Sequence, residues 1–259
     1  MVKTSPFTSE AAASEAKPRK VSPKRYSIGV DLGQASDFSA IAVIKKEIVP
    51  PRTAMFAPEG ESPSNRLVEG DVLYDLLYLK RPRLGTPYDR IAEAVCDLCT
   101  KLEPKGGFDE IGHLTLTIDG TGVGRGVVDM ISTEFIERRK RGEYVPDIDF
   151  RPATIGVSGT QMRPPRHKRD YWYLPKTDVI FPAIVAFQQK RMRIAKDVDE
   201  RDQLIHELTN YRRSVNVATG GVTMEPWREK DHDDLLFAVA LALFGWQTHK
   251  KKSVTRLVR

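Results

Sequence analysis

The sequence has little cysteine, since its 259 residues include only Cys96 and Cys99. No second CxxC pair and no HxxxH pair accompanies them, so a closed zinc site is not supported. The apolar positions around them recur at helical spacing after Pro87, which predicts a helix with both thiols in its core-facing region. The two cysteines are therefore predicted to serve packing in a reducing compartment.

Long apolar runs are also missing. The longest, Leu235 to Trp246, is too short to span a bilayer, and the N-terminus lacks the apolar centre of a signal peptide. We expect a protein with no membrane partner that is located in the cytoplasm.

Two nucleotide-binding motifs are absent. The chain contains no GxxxxGK[ST], which argues against P-loop ATP hydrolysis. The turn GTGVGRG at residues 120–126 has Val127 where G-x-G-x-x-G needs its third glycine, so the dinucleotide fingerprint fails. Nucleotide binding at this turn stays open only as a minor possibility, which would predict thermal stabilisation by ATP or NAD.

Charge and composition divide the chain into three parts. With 41 Lys and Arg against 35 Asp and Glu, and a pI near 9.2, the protein is mildly basic and compatible with a polyanionic partner. Residues 1–24 are rich in Ser, Ala, Pro, Lys and Glu and predict a disordered tail or linker. Residues 25–250 form one predicted domain, and residues 251–259 form a basic tail.

The segment His113 to Asp129 organises the predicted domain. Its alternating apolar residues predict a strand that ends at Asp119, just before the glycine-rich turn. The turn leads into a predicted helix over Val127 to Arg139, so the positive end of a helix dipole lies near that carboxylate. Such a corner suits chemistry on a charged substrate.

The order of strands and helices predicts an α/β fold. It is a ribonuclease H-like mixed five-stranded sheet with helices on both faces and a small C-terminal hairpin. The predicted strands of the sheet are Tyr26 to Leu32, Ser39 to Lys46, Val72 to Lys80, the strand ending at Asp119, and Ile148 to Ile155. A short further strand is predicted over Met192 to Ala195. The hairpin is predicted from Val215 to Ala218 and Val222 to Met224 around a Thr-Gly-Gly turn.

Further acids arrive in positions comparable to Asp119. Asp31 ends the first strand, and Asp231, Asp233 and Asp234 lie at the head of the last apolar helix. Residues three apart share a helix face, so we rank Asp234 first, Asp231 second and Asp233 third. Acids at a helix N-terminus are also favoured by the helix dipole alone, but carboxylates gathered at one rim would repel strongly without cations.

These hard oxygen donors predict Mg²⁺ or Mn²⁺, with two ions able to activate water and stabilise the leaving oxygen of a phosphodiester. The predicted metal ligands are Asp31, Asp119, Asp231, Asp233 and Asp234. His232 adjoins the cluster and could assist a proton transfer, although a capping or solvent-facing role explains it better.

The stretch Gly159 to Lys176 combines cations with Tyr171, Trp172 and Tyr173. Cations for phosphates and rings for stacking are what a nucleic-acid groove needs. The predicted DNA-binding residues are Arg163, Arg166, Lys168, Arg169 and Lys176. The competing interpretation is a loop whose aromatic side chains simply dock on the core.

Taken in order, four segments resemble the nuclease domain of bacteriophage terminase large subunits, the motor proteins that package and cut viral DNA. The matching segments are IGVDLGQASDFSAIAVI at 28–44, TIDGTGVGRGVVDMI at 117–131, YLPKTDVI at 173–180, and EKDHDDLLFAVALALFGW at 229–246. The resemblance implies a metal-dependent endonuclease of double-stranded DNA, with Asp31, Asp119 and an acid of the last helix as ligands. Among these acids Asp234 is the predicted third catalytic residue.

The resemblance also implies partners. A complete terminase large subunit has an ATPase domain ahead of the nuclease, so the chain is expected to be an excised domain or a separately encoded nuclease. A packaging ATPase, the small terminase subunit and the portal are then candidate partners in the host cell. Two other functions stay open: a Holliday-junction resolvase or transposase-like nuclease of the same fold, and an inactive DNA-binding packaging module.

Overall fold

The computed structural model describes residues 24–33, 37–49, 71–102, 111–156, 162–165, 171–215, 222–226 and 232–247. Of the N-terminal tail predicted over 1–24, residues 1–23 lie outside these ranges, whereas Lys24 begins the first strand. The predicted tail over 251–259 also lies outside them. Within them, no helix is long and apolar enough to cross a membrane.

Seven strands form the main sheet, in the spatial order β6-β5-β4-β1-β2-β3-β7. They are β1 Lys24–Asp31, β2 Ala40–Val49, β3 Asp71–Lys80, β4 Ile111–Asp119, β5 Ile148–Gly156, β6 Trp172–Pro175 and β7 Met192–Ile194. The strands β1, β2 and β3 form an antiparallel meander. All other pairs in the sheet are parallel, and β8 Tyr211–Val215 with β9 Val222–Pro226 forms a separate antiparallel hairpin.

Five helices accompany the strands in the described ranges. They are α1 Tyr88–Lys101, α2 Gly124–Lys140, α3 Lys176–Gln188, α4 Arg201–Asn210 and α5 Asp234–Gln247. Pro182 lies inside α3, in the middle of the helix. The helix α2 begins three residues earlier than predicted, because the glycine turn is itself the start of the helix.

The predicted mixed α/β sheet is confirmed, but the count of five strands is too low. The strand β6 lies inside the basic aromatic stretch, where no strand was predicted. The strand β7 was predicted as a strand, but its pairing with β3 at the sheet edge was not. Segments of four and three residues are too short to show an alternating pattern, so their pairing depends on neighbours distant in sequence.

Helices cover both faces of the sheet, as predicted. One core lies between the sheet and α1 with α2, and includes the inward side chains Ile28 and Val30 of β1. The other core is built around α5, whose residues from Asp234 to Gly245 are all buried. A helix buried on every side must be apolar all round, which explains why the residues of α5 that follow Asp234, from Leu235 to Gly245, are all apolar.

Both cysteines are buried and free, as predicted. Burial raises the pKa of the Cys96 thiol to about 12 and also raises the pKa of Cys99. At pH 8 the thiolate fraction of Cys96 is then lower than that of a free cysteine by a factor on the order of 1,000. We expect the folded protein to react with a disulfide-exchange reagent correspondingly slowly, and the protein in guanidinium to release two equivalents at once. Fast reaction of the folded protein would contradict this packing.

Candidate active site

Asp31 and Asp119 end two neighbouring parallel strands. The pairing of β1 with β4 runs up to Val30 opposite Ile118, so the next residue of each strand is the acid. Because parallel strands place their carboxyl ends at one edge of the sheet, both carboxylates lie at the same rim. The two carboxylates also interact electrostatically, because the charge of Asp119 raises the pKa of Asp31.

The turn after β4 fixes the Asp119 carboxylate. The backbone N–H of Thr121 donates to Asp119 Oδ1 at 2.8 Å. The Thr121 hydroxyl oxygen accepts a hydrogen bond from the backbone N–H of Ile155 at 2.8 Å, which ties the turn to β5. Only glycine fits at 124, because a Cβ there would lie 2.3 Å from the Asp119 carbonyl oxygen. The glycine-rich turn therefore serves to hold the acid in place.

The third group of acids lies at the start of α5. Asp234 is the first residue of the helix, and the Asp233 carbonyl oxygen accepts the backbone N–H of Phe237 at 2.8 Å. Asp233 is therefore the residue that precedes the helix, so the helical spacing used to rank it does not apply there. Asp231 lies outside the described residues, and its place in the ranking stays a prediction.

Burial raises the pKa of Asp31 well above its ordinary value, and the charges of Asp119, Asp233 and Asp234 raise it further. Burial likewise raises the pKa of Asp119 and of Asp234. The rim thus gathers carboxylates from β1, β4 and the start of α5, and they disfavour one another's charge.

Two cations offset part of this repulsion. Lys176 Nζ lies 2.7 Å from Asp233 Oδ2, and the lysine charge opposes the raised pKa of both Asp31 and Asp119. Arg81 Nε lies 2.7 Å from Asp234 Oδ2 and opposes the raised pKa of that acid. Lys176, which was predicted to contact DNA, thus pairs with an acid of the rim in the structure.

Sequence reasoning missed two residues beside the rim, Arg81 and Glu207. Glu207 has 1% of its side chain exposed, and one of its oxygens pairs with Arg81. Burial raises the pKa of Glu207 to about 7. The signal was present, because Glu207 falls on the same face of α4 as the buried Leu204, where an acid is out of place.

No protein-family model and no curated protein matches the chain. Among solved structures, the human cytomegalovirus terminase nuclease domain superposes with a TM-score of 0.51 at 12% identity, covering 86% of this chain and 83% of that one. This chain has the fold of a terminase nuclease domain. The nuclease domain of the bacteriophage SPP1 large terminase with bound Mn is also similar, with a TM-score of 0.40 at 10% identity and 87% of each chain covered.

A divalent metal would match the donor chemistry of the acids at this rim. Asp31, Asp119 and Asp234 offer carboxylate oxygens, which Mg²⁺ and Mn²⁺ prefer, and a cation would relieve the repulsion that raises the pKa of Asp31. Yet no three His, Cys, Asp or Glu side chains among the described residues are grouped as a metal site. Asp234 faces Arg81 instead, and its neighbour Asp233 faces Lys176.

The described part of the basic aromatic stretch packs on the terminase nuclease fold. The Trp172 ring contacts that of Phe244 edge to face, with centroids 5.6 Å apart, and Tyr171 and Tyr173 are half-buried. Arg163 is exposed and exchanges two backbone hydrogen bonds of 2.9 Å with Tyr173. Trp172 and Tyr171 therefore pack against the two cores of the fold, and DNA binding by this stretch stays a prediction. Arg166, Lys168 and Arg169 lie outside the described residues.

His232 is more exposed than the acids it adjoins. Its side chain is 42% exposed, with Nδ1 4.0 Å from Asp234 Oδ1. Its ring meets that of Phe38 edge to face, with centroids 5.6 Å apart. This position agrees with a solvent-facing side chain at the margin of the acidic rim.

Proposed function

We propose that the chain is a metal-dependent endonuclease that hydrolyses phosphodiester bonds of double-stranded DNA during phage genome packaging. One observation carries the proposal: Asp31 and Asp119 end the adjacent parallel strands β1 and β4 at one edge of the sheet. The charge of Asp234, at the start of α5, also raises the pKa of Asp31. That arrangement is placed on a fold shared with a terminase nuclease domain. Bringing buried carboxylates together lowers the stability of the fold, and such clusters occur mainly at functional sites. A functional role for these acids therefore explains why they lie together.

Asp31, Asp119 and Asp234 are the proposed metal ligands, with Asp233 and Asp231 as auxiliary acids. Bound Mg²⁺ or Mn²⁺, as two ions, would supply an activated water and stabilise the leaving oxygen of the phosphodiester. The protein contributes orientation. The Thr121 N–H holds Asp119 Oδ1, and burial of the rim strengthens every charge interaction there.

Lys176 has a proposed double role at the rim. Its ammonium group pairs with Asp233, and 39% of its side chain is exposed, so it can also meet a phosphate. The proposed path of the DNA continues over Arg163, Arg166, Lys168 and Arg169. Contacts of this kind bind phosphates without reading bases, so DNA affinity should fall with salt and show little sequence preference.

The first test is removal of the metal. Supercoiled plasmid incubated with the purified chain should be nicked and then linearised with Mn²⁺ or Mg²⁺, and should stay intact with EDTA. Adding excess Mn²⁺ to the EDTA sample should restore cleavage, which controls for damage by the chelator. Agarose electrophoresis over time gives the rates, and metal-independent cleavage or none at all would contradict the proposal.

The same assay separates the other functions. A resolvase would cut four-way junctions in strong preference to linear duplex of the same sequence. A packaging nuclease would cut both substrates. DNA binding in a gel-shift assay without cleavage at any Mn²⁺ concentration would favour an inactive packaging module. A small terminase subunit, portal and packaging ATPase are the proposed partners for the active form.

A further inference from the structure

Glu207 is the most deeply buried acid beside the rim. It belongs to α4, which contributes no carboxylate to the proposed metal ligands, and 1% of its side chain is exposed. Burying an acid without a partner costs several kcal/mol, so its contacts must compensate. One oxygen pairs with the Arg81 guanidinium, and Oε2 accepts the backbone N–H of Leu236 at 2.9 Å.

The contact with Leu236 places Glu207 at the start of α5. Leu236 is the third residue of the helix, so its N–H has no acceptor within the helix. A residue in the position of Asp233 usually caps this N–H with its own side chain. Here Glu207 provides the cap from another helix, and the Asp233 carboxylate faces Lys176 instead. The cap from α4 thus leaves an acid available to the rim.

The contact with Arg81 links Glu207 to Asp234. The guanidinium stands over the Phe38 ring, 5.0 Å from its centroid, and lies between the two carboxylates. The planar fork of arginine can contact two acids at once, which an ammonium group does poorly. Asp234 is therefore fixed on one side by its place in a capped helix and on the other by Arg81.

We propose that Glu207 and Arg81 are positioning residues that orient Asp234 and the start of α5 for metal binding. The proposal rests on the proposed function, because it assigns to these residues a role toward the same metal ligands. Neither residue touches the substrate in this scheme. Partners of metal ligands typically change metal affinity by about 10- to 100-fold, and that range sets the expected effect.

The test measures Mn²⁺ binding by titration calorimetry in wild type, Glu207→Gln and Arg81→Lys. Each variant should raise the Kd for Mn²⁺ by about 10-fold or more. The Mn²⁺ concentration for half-maximal plasmid cleavage should rise in parallel, and DNA affinity in EDTA should stay unchanged. The double variant should weaken Mn²⁺ binding by less than the product of the two single effects, because the Glu207–Arg81 contact couples the two residues.

Arg138→Met is the matched control. Arg138 is comparable to Arg81 in burial, with 9% of its side chain exposed against 13%. It lies 2.7 Å from both Glu134 and Asp97 and belongs to α2, on the opposite face of the sheet. Its loss should lower the melting temperature and leave Mn²⁺ affinity at the wild-type value. If Glu207→Gln does not fold, the Arg81→Lys variant tests the positioning role, because it keeps the positive charge at position 81 and the cap that Glu207 provides to Leu236.

The outcomes separate the two proposals. Wild-type Mn²⁺ affinity in a folded Glu207→Gln or Arg81→Lys variant overturns the positioning role and leaves the nuclease proposal standing. Equal weakening by Arg138→Met also overturns it, because the effect would then be general destabilisation. A wild-type chain that neither binds Mn²⁺ nor cleaves DNA overturns the proposed function itself, and with it the positioning role.

Discussion

Asp31→Asn should reduce Mn²⁺-dependent plasmid cleavage by at least about 100-fold and, in EDTA, raise the melting temperature of the protein. Mutation of a residue that only supports a metal ligand typically lowers metal affinity or activity by about 10- to 100-fold. Mutation of a direct ligand should lower activity by at least as much. The stability gain follows from burial and from the charges of Asp119, Asp233 and Asp234, which raise the pKa of Asp31. An amide of the same shape removes that unfavourable charge.

The sign of the pH dependence follows from the same shift. A carboxyl whose pKa is raised on folding stabilises the protein at low pH and loses that contribution as the pH rises through the raised value. The gain in melting temperature of Asp31→Asn over wild type should therefore be largest near neutral pH and should vanish in acid. For a protein of this size, a few degrees of melting temperature correspond to roughly 1 kcal/mol of stability. Circular dichroism melts in EDTA give the stabilities, and gel assays give the rates.

Asp147→Asn is the control for charge. Asp147 is exposed before β5, so its variant should match wild type in both cleavage and melting temperature. An Asp31→Asn protein that cleaves DNA normally would remove Asp31 from the proposed ligands. A variant that is less stable than wild type in EDTA would show that the carboxylate makes a compensating contact.

The rim could be predicted because its main determinants are local. Asp31 and Asp119 each follow an apolar strand, and parallel neighbours place their ends together. The glycine-rich turn was equally visible, since no other residue type supplies its positive φ at Gly122 at so low a cost. These features depend on a few adjacent residues, which is why sequence patterns reveal them.

The cations and the second layer of the site could not be predicted, because they depend on long-range pairing. Arg81 contacts Glu207, which lies 126 residues further along the chain, and Lys176 meets Asp233 only where α3 and α5 pack together. The docking of Trp172 on Phe244 likewise joins an edge strand to the central helix. The residues nearby do not identify the partners in these contacts, although the position of Glu207 on the same helix face as Leu204 indicates a buried acid.

The close approach of α5 to the sheet connects the fold to the site, and Gly29 makes that approach possible. A Cβ at Gly29 would lie 2.0 Å from the Ala238 carbonyl oxygen and 2.4 Å from the Ala242 nitrogen. Both are backbone atoms of α5, so no side chain can turn aside. Gly29 precedes Asp31 by two residues, and α5 begins at Asp234, so a displaced helix separates the acids.

Gly29→Ala should therefore lower the free energy of unfolding by about 3 kcal/mol or more, from a total on the order of 5–15, and reduce metal-dependent cleavage in the folded fraction. Gly126→Ala is the matched control, because a Cβ there meets nothing within 4 Å and the residue lies in α2. It should stabilise the protein by roughly 0.5–1 kcal/mol and leave cleavage unchanged. Guanidinium unfolding and plasmid cleavage measure both effects. Wild-type stability in Gly29→Ala would mean that α5 can shift without a loss of stability. The geometry of the rim would then depend on the cap by Glu207 and the Arg81 contact rather than on helix packing.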